Sequence, residues 1–401
     1  MSALYAALEL GTTRTTLALA EAAPGDTPHL LAHAEIASSN IRKSQILSLQ
    51  DATQSIRSVI RKIEKEQDAQ GSKIEIGNAY LVVSGQHIQA TPAQGQALVE
   101  GRCVSEATIE EAERAARQIP LHKDRELLDI VNQDFILDDR GGLTNPRGMA
   151  GRVLKFNTLQ IHADANRIQD ARSAASDAHL EIQEPVFAAT CAADAVLEDH
   201  EKRNGVLVLD LGGGSTGYAA YAQGLILSAG VLGVGGDHVT NDIAHAFQTT
   251  NAQAEELKIS KASATLVPYE GDETRVAVGG ASSLMQKQTI SHRSLDIVVN
   301  ARVRELFAMI RERLEEQNLL HLLHAGCVLT GGGASLRGLD SVAERELGLQ
   351  TRLGRPLGIG GFESVAAPWS YAALAGALLY ARQSSSGETP LFGGLFRRLF
   401  K

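Results

Sequence analysis

The chain has 401 residues, 44% of them apolar and 21% charged, enough for two to four domains with cores of their own, so a disordered chain, a collagen-like repeat and a small disulfide scaffold are excluded. A formal charge of −9 argues against a general nucleic-acid binder, so no nucleic acid is expected as a partner. Cys103, Cys191 and Cys327 lie far apart, which predicts neither a zinc site nor a disulfide framework and points to a reducing cytosol.

In chain order, the opening residues carry Glu9 and no basic stretch ahead of an apolar block, so no signal peptide is expected. Residues 4–20 read as strand, turn, strand. A helix is predicted over 44–67, where Ile56, Val59, Ile60 and Ile63 fall at i, i+3, i+4 and i+7. Residues 79–83 read as a strand and 107–119 as a helix started by a Thr108–Glu111 capping box. Strands are expected at 130–137 and 151–163 around the turn RGGLTNPRGMAG, followed by a helix at 164–179. Residues 182–185 lead into a helix reaching Glu198, with Pro185 at its first position. The second half opens with strands 206–210 and 216–221, and a third strand precedes the turn GVGG at 233–236. Helices follow at 237–247 and 251–259, and residues 260–290 are polar and strand-like at most. A long helix is predicted over 293–323; its 301–323 portion is too short for a sustained heptad and reads as a packed domain helix. Strand 326–330, the turn 331–333, helices near 335–347 and 369–382, and a linker at 383–389 complete the body. The longest apolar run, 371–381, has eleven residues, short of the roughly 20 a spanning helix needs.

Self-comparison gives the first functional signal. LYAALELGTTRTTLALA (4–20) and GVLVLDLGGGSTGYAAY (205–221) share one design, with Glu9 falling on Asp210 and Gly11 on Gly212, 201 residues apart. Gly212, Gly213 and Gly214 would let backbone amides close round a phosphate, with hydroxyls from Ser215 and Thr216. Gly11, Thr12 and Thr13 form the matching turn. Asp210 and Glu9 would be the two carboxylates that hold Mg²⁺, through water in the case of Asp210. A third strand runs into Gly331, Gly332 and Gly333, where open backbone could admit an adenine and ribose. No lysine follows in a Walker arrangement, and the triple glycine lacks the dinucleotide spacing. Any one of these turns reads equally as a plain glycine-rich hairpin; three behind strands, at the start, middle and late third of the chain, do not. The twelve histidines form no HExxH or HxH cluster, so no metal site is assigned to them.

The end of the chain has its own chemistry. Thr389 can cap a helix and Pro390 suits its first position. On a helical wheel Leu391, Phe392, Leu395, Phe396, Leu399 and Phe400 fall on one half, and Arg397, Arg398 and Lys401 on the other. This is the pattern of a helix lying in the interface of an anionic membrane.

The order of the three turns is that of the actin/Hsp70/sugar-kinase superfamily, and the chain resembles one branch of it, the FtsA family of bacterial cell-division actin homologues. Ser84–Ile88 (SGQHI) is similar to the family's SGxHI, residues 145–151 (NPRGMAG) to its NPVGMSG, and residues 239–244 (VTNDIA) to its VTSDIA. The resemblance covers about 4–380 and 388–401. The chain departs from the family in Glu9, where Asp is usual, in Arg14 for Lys, in NQDF at 132–135 for PQEY, and in Arg147 for Val.

The resemblance implies an α/β, actin-like (ribonuclease H-like) two-domain ATPase fold with an inserted 1C (SHS2-type) subdomain. Subdomain 1A would take 1–82, 165–203 and 369–382; 1C, 83–164; 2A, 204–247 and 301–368; 2B, 248–300; the linker 383–389 and the membrane helix 390–401 would follow. It implies ATP and Mg as cofactors, with Glu255 and Lys258, one helical turn apart, on ribose and adenine, and Glu184 positioning water from a helix start. At most slow ATPase activity is expected. The implied partners are the FtsZ C-terminal peptide at 2B, which holds Lys258, Lys261, Arg275 and Lys287, further copies of the chain in a filament, other division proteins through 1C, and the anionic membrane surface. The implied location is the cytoplasmic face of the cell membrane at the septum. The alternatives are a PilM-like pilus-assembly ATPase and a small-molecule kinase on the same fold.

Overall fold

The computed structural model describes residues 2–23, 25–38, 40–266, 268, 275–278 and 288–386. The chain begins with the meander β1 (Ala3–Leu10), β2 (Arg14–Ala22) and β3 (His29–Ala37), then the short β4 (Ile41–Arg42) and β5 (Gln45–Ile46), α1 (Leu49–Ala69) and β6 (Asn78–Val83). An insert follows: β7 (Gln89–Leu98), α2 (Glu106–Arg117), β8 (Arg125–Leu137), β9 (Arg140–Leu143) and β10 (Val153–Asp164). The chain then returns through α3 (Ala165–Asp177) and β11 (Glu181–Phe187), and passes along α4 (Ala188–Val196) and α5 (Asp199–Asn204). The second half repeats the opening with β12 (Val206–Leu211), β13 (Thr216–Ala222) and β14 (Leu225–Leu232). It continues through α6 (Gly236–Ala246), α7 (Asn251–Ser260), β15 (Arg275–Val278), β16 (Gln288–Ser291), α8 (His292–Glu316), β17 (Gly326–Thr330), α9 (Leu339–Leu347), β18 (Thr351–Leu353) and α10 (Ala372–Ser386).

The two main sheets have one topology. Their strand orders are β3-β2-β1-β6-β11 and β14-β13-β12-β17-β18. In each, an antiparallel meander is extended by two parallel strands, β6 and β11 in one and β17 and β18 in the other. The residues that match in sequence therefore match in space: Glu9 pairs with Val82 on β6, and Asp210 with Thr330 on β17, each near the end of its strand. Strand β12 is apolar on both faces. Val206 and Val208 join the core shared with the first half, while Leu207, Leu209 and Leu211 belong to the second half's own core. A strand buried on both faces reads as a continuous apolar run, as VLVLDL does.

Local chemistry explains where the helices begin and end. The helix expected at 44–67 starts at Leu49, because residues 41–46 pair as a hairpin and the Ser48 side chain accepts the Asp51 amide as an N-cap. The α2 cap is Ser105, which accepts the amide of Thr108; Thr108 itself is inside the helix and buried, so the Thr108–Glu111 box does not form. The expected helix at 293–323 stops at Glu316, where Asn318 takes φ 56° and turns the chain, with a short 3-10 turn at Leu320–Leu322. It is a packed domain helix, burying Leu295, Val299, Val303, Leu306 and Phe307 against the second core. The helix expected to begin at Pro185 starts instead at Ala188: Pro185 lies inside β11, at a shift of register between Ile182 and Pro185 that spares the ladder its missing amide.

Strands β3, β7 and β18 were not expected from periodicity. Strand β7 (QATPAQGQAL) is mostly polar and is formed by pairing along its whole length with β10. The insert's sheet runs β7-β10-β8-β9, and α2 lies so close on β7 that a Cβ at Gly95 would stand 2.2 Å from the Ala112 carbonyl oxygen. Among the described residues no helix is long and apolar enough to cross a membrane.

Helices α4 and α10 lie between the two main sheets. Helix α4 packs on β12 and β13, and α10 on β1, β2 and β6, while the two helices pack on each other. Every α4 residue except Asp194 is buried, five of them alanines. At the crossing, a Cβ on Gly376 would stand 1.8 Å from the Cys191 carbonyl oxygen, inside any allowed contact. Gly376→Val is therefore expected to destabilise the whole chain by about 1–3 kcal/mol or more, read as a fall in urea midpoint, despite valine's better helix propensity. An unchanged midpoint would mean that the helices part without cost.

Candidate functional site

The hairpins β1–β2 and β12–β13 turn in the same way. The Gly11 amide donates to the Arg14 carbonyl at 3.0 Å, and the Gly212 amide to the Ser215 carbonyl at 2.9 Å. A Cβ on either glycine would come within 2.8 and 2.9 Å of those oxygens, so the turn needs bare backbone. Ser38 braces the first loop, its hydroxyl donating to the Gly11 carbonyl at 2.7 Å and its amide to the Thr13 carbonyl at 3.0 Å. The second loop rests on the start of α6, where the Gly236 and Asp237 amides donate to the Gly212 and Gly213 carbonyls at 3.0 and 2.8 Å. The two loops meet: Thr13 Oγ1 is 2.2 Å from where a Gly213 Cβ would stand, and Thr12 Oγ1 is 2.7 Å from the equivalent point on Gly214. Ser215 is buried behind them.

The third loop completes the wall. Gly331, at φ 81°, donates its amide to the Trp369 carbonyl at 2.9 Å, and a Cβ there would stand 2.6 Å from Asp210 Oδ1. Gly333 lies on Leu211, whereas Gly332 faces open space. On α7, Lys258 and Glu255 form a 2.6 Å ion pair, and the Lys258 ammonium also donates to the Gly236 carbonyl at 3.1 Å and to Thr240 Oγ1 at 2.9 Å. The i, i+3 pair thus faces the second loop.

The charge of Glu9 reaches Asp210. Burial pushes the Asp210 carboxyl up to about 7; the charge of Glu9 adds to the rise, and Arg14 opposes it. Glu9 is raised as well, by burial first, with Arg14 lowering it and Glu35 raising it. Arg14 cannot neutralise both, because it is held by Glu35 at 2.8 Å and by the Ser370 carbonyl at 3.0 Å, and its guanidinium lies 4.9 Å from the Tyr371 ring centre. Tyr371 in turn donates to Glu35 at 3.0 Å, and its own hydroxyl is pushed up to about 12, mainly by burial. The residual negative charge fits a divalent cation. Among the described residues no three His, Cys, Asp or Glu side chains gather into a metal cage. A cation that keeps its waters and takes further oxygens from a phosphate suits that donor set.

The structure places Glu9 beside Gly11, Thr12 and Thr13 against Gly213 and Gly214, Gly331 against Asp210, and Lys258, paired with Glu255, beside Gly236. It does not bring Glu184 there in the manner expected. Glu184 sits within β11, not at a helix start, and accepts a hydrogen bond from the Tyr380 hydroxyl of α10 at 3.1 Å. Pro185, which supported the helix-start placement, is paired within β11 instead. Two residues were missed. Asp237 lies at the second loop, its carboxyl raised by burial with Lys258 opposing, and Glu35 anchors Arg14 from a strand whose sequence gave no signal. The tail residues Leu391, Phe392, Leu395, Phe396, Arg397, Arg398, Leu399, Phe400 and Lys401 lie outside the described residues.

Two sheets of one topology, meeting through two helices and at their hairpin loops, define an actin-like two-domain fold. Solved structures agree. A chain of the PilM-PilN type IV pilus biogenesis complex matches with a TM-score of 0.66 at 19% identity, over 94% of this chain and 98% of that one. MreB 5 of Spiroplasma citri bound to AMPPNP matches with a TM-score of 0.53 at 15% identity, over 96% and 97%. At those identities the likeness is one of fold. The sequence comparisons are narrower. The family model described as cell division protein FtsA matches residues 207–376, and that of the SHS2 domain inserted in FtsA matches 85–162. Curated cell division protein FtsA from Pseudomonas aeruginosa is 29% identical over 94% of this chain and 89% of its own length, and that from Escherichia coli K12 27% over 95% and 91%. In sequence the chain resembles the FtsA family of cell-division proteins along nearly its whole length.

The carboxylate pair yields a pH prediction. Asp210 has its folded pKa raised, so the native state holds a proton that the unfolded chain has lost between about pH 4 and 7; its contribution to stability falls as pH rises through that window and stays unfavourable above it. Asp210→Asn is therefore expected to stabilise the nucleotide-free protein at pH 8, by about 1–3 kcal/mol, and by less at pH 5. Thermal melts at the two pH values check this. A melting temperature lowered at pH 8 would mean that the carboxylate is not strained.

Proposed function

We propose that this chain is an ATP-binding, filament-forming scaffold that ties an FtsZ polymer to the cytoplasmic face of the cell membrane at the septum and recruits other division proteins. The observation that carries this reading is likeness to FtsA proteins along 94–95% of the chain, with the insert included. ATP is favoured by the facing glycine loops and by an actin-like neighbour solved with AMPPNP. In this reading Gly11–Thr13 and Gly212–Ser215 hold the phosphates with amides and hydroxyls. Gly331–Gly333 leave room for the nucleoside, and Glu255 and Lys258 meet ribose and adenine. Glu9 and Asp210 orient waters of a magnesium ion, which would screen the phosphate charge. Glu9, one methylene longer than the family's usual Asp, reaches further toward those waters.

The proposed division is 1A over 1–82, 165–203 and 369–382, 1C over 83–164, 2A over 204–247 and 301–368, and 2B over 248–300. An FtsZ C-terminal peptide would dock on 2B. Lys258 is committed to the cleft, which leaves the exposed Lys261 and Arg275 of that segment to meet an acidic peptide. Lys287 lies outside the described residues. Head-to-tail stacking of copies is heterologous and so grows filaments. Hydrolysis, at most slow, is not needed for the nucleotide to shift the cleft between states.

Membrane attachment falls to residues 390–401. A buried Leu or Phe gives roughly 1.5–3 kcal/mol, ordering the segment costs about 1–2 kcal/mol per residue, and each basic residue adds about 1 kcal/mol on anionic lipid. One tail thus binds weakly and a filament of them tightly. In flotation with anionic vesicles, Phe396→Glu and truncation after Gly387 are expected to release the protein, while high salt weakens binding without abolishing it. Full flotation of the truncated chain would place the anchor elsewhere, and would favour the PilM-like alternative.

A further inference from the structure

Between the meander of the first sheet and α1, the chain makes a small hairpin that sequence periodicity gives no sign of. Arg42 pairs with Gln45, leaving Lys43 and Ser44 as a two-residue turn, at φ 47° and 57°. That left-handed geometry at both positions is the one usually filled by Asn-Gly or Gly-Gly, yet neither residue here is glycine or asparagine. Its surroundings hold it. The Ser44 amide donates to Thr12 Oγ1 at 3.2 Å, and the Ser44 hydroxyl lies 3.3 Å from that of Ser84. On the other side a Cβ at Gly214 would stand 3.0 Å from Lys43 Cα and 3.3 Å from Lys43 N. The tip therefore touches the first glycine loop through Thr12 and the second through Gly214, at the point where those loops meet.

Charge decides what such a tip can do. The cleft's other cations are already engaged. Arg14 is paired with Glu35 at 2.8 Å, and Lys258 with Glu255 at 2.6 Å and with the Gly236 carbonyl. Lys43 is exposed, and among the described residues its ammonium has no ion pair and no hydrogen bond. A lysine side chain reaches about 6 Å from its Cα and carries a compact, mobile charge suited to a phosphate. A nucleoside triphosphate differs from a diphosphate by the terminal phosphate, the group that would lie at the loop tips, furthest from the nucleoside wall at Gly331–Gly333.

We propose that Lys43 contacts the terminal phosphate and sets the preference of this cleft for a nucleoside triphosphate over a diphosphate. The inference rests on the nucleotide-cleft reading above and adds to it a residue from outside the three glycine loops. Arg42, exposed and paired with Gln45 in the strand below the tip, is the control.

The test is calorimetric titration of the full chain with Mg-AMPPNP and with Mg-ADP. Lys43→Ala is expected to weaken AMPPNP about tenfold, the loss of one charged hydrogen-bond partner, and ADP less than twofold. Lys43→Arg is expected to restore most of the loss, and Arg42→Ala to change neither ligand. The melting temperature without nucleotide should not move, since Lys43 is exposed. An unchanged ratio of AMPPNP to ADP affinity in Lys43→Ala, whether both constants hold or both fall alike, overturns the proposal while leaving the cleft reading intact. Failure of the wild-type chain to bind either nucleotide overturns the cleft reading, and this inference with it.

Discussion

The contact on which the rest of the molecule depends is the crossing of α4 and α10 at Gly376 and Cys191. One helix rests on each main sheet, and the two touch backbone to backbone where Gly376 lacks a side chain. Helix α4 is nearly all small residues, so β13 can approach it closely as well; a Cβ on Gly217 would stand 3.0 Å from that of Ala189. Small residues on both sides draw the two sheets together and turn the ends of β1 and β12 toward each other. Larger side chains at this crossing would separate the glycine loops before altering either sheet.

Bringing the halves together has an electrostatic cost, concentrated in Glu9 and Asp210. Each lies near the end of its strand and is raised by burial first; the charge of Glu9 adds to the rise at Asp210, and that of Glu35 to the rise at Glu9. Arg14 cannot relieve the strain, since Glu35 and Tyr371 hold it in place. A site that strains its own charges in this way is poised for a ligand that brings compensating charge. Among the described residues no group of three or more His, Cys, Asp or Glu side chains that could cage a metal surrounds these two carboxylates.

The insert is joined to this cleft at several points. Gln133 of β8 donates to the carbonyls of Ile226 and Leu227 on the edge strand β14, at 3.2 and 3.4 Å. The Gln86 side chain occupies the space a Cβ on Gly233 would need, in the turn that leads from β14 to α6. Arg125 grips the insert's root through the carbonyls of His87 and His162. Burial, with Arg167 and Arg125 adding to it against Asp164, lowers His87 to about 4, so it stays neutral in that root. The insert thus leans on the same loop that supports Gly212 and Gly213, and any change in that loop's spacing reaches it through packed atoms.

What the sequence determined by itself was whatever depends on neighbours along the chain. Alternating and continuous apolar runs located β1, β2, β6, β12, β13 and β17, and the i, i+3, i+4 spacing located α1 and α8. The repeat of acid, apolar residue and glycine located both hairpin loops, because a turn with a bare-backbone requirement leaves its mark in glycine. What only the tertiary structure decided was whatever depends on partners far away in the chain. Strand β7 exists because β10 pairs with it, and β11 takes in Pro185 because a bulge against β6 accommodates it, which removed Glu184 from a helix start. The pairing of Arg14 with Glu35, the approach of Asp237 to Gly213 and the seating of Lys43 over Gly214 left no pattern in composition or period. They follow from two sheets folded alike and pressed together through two thin helices, a geometry that no local run of residues encodes.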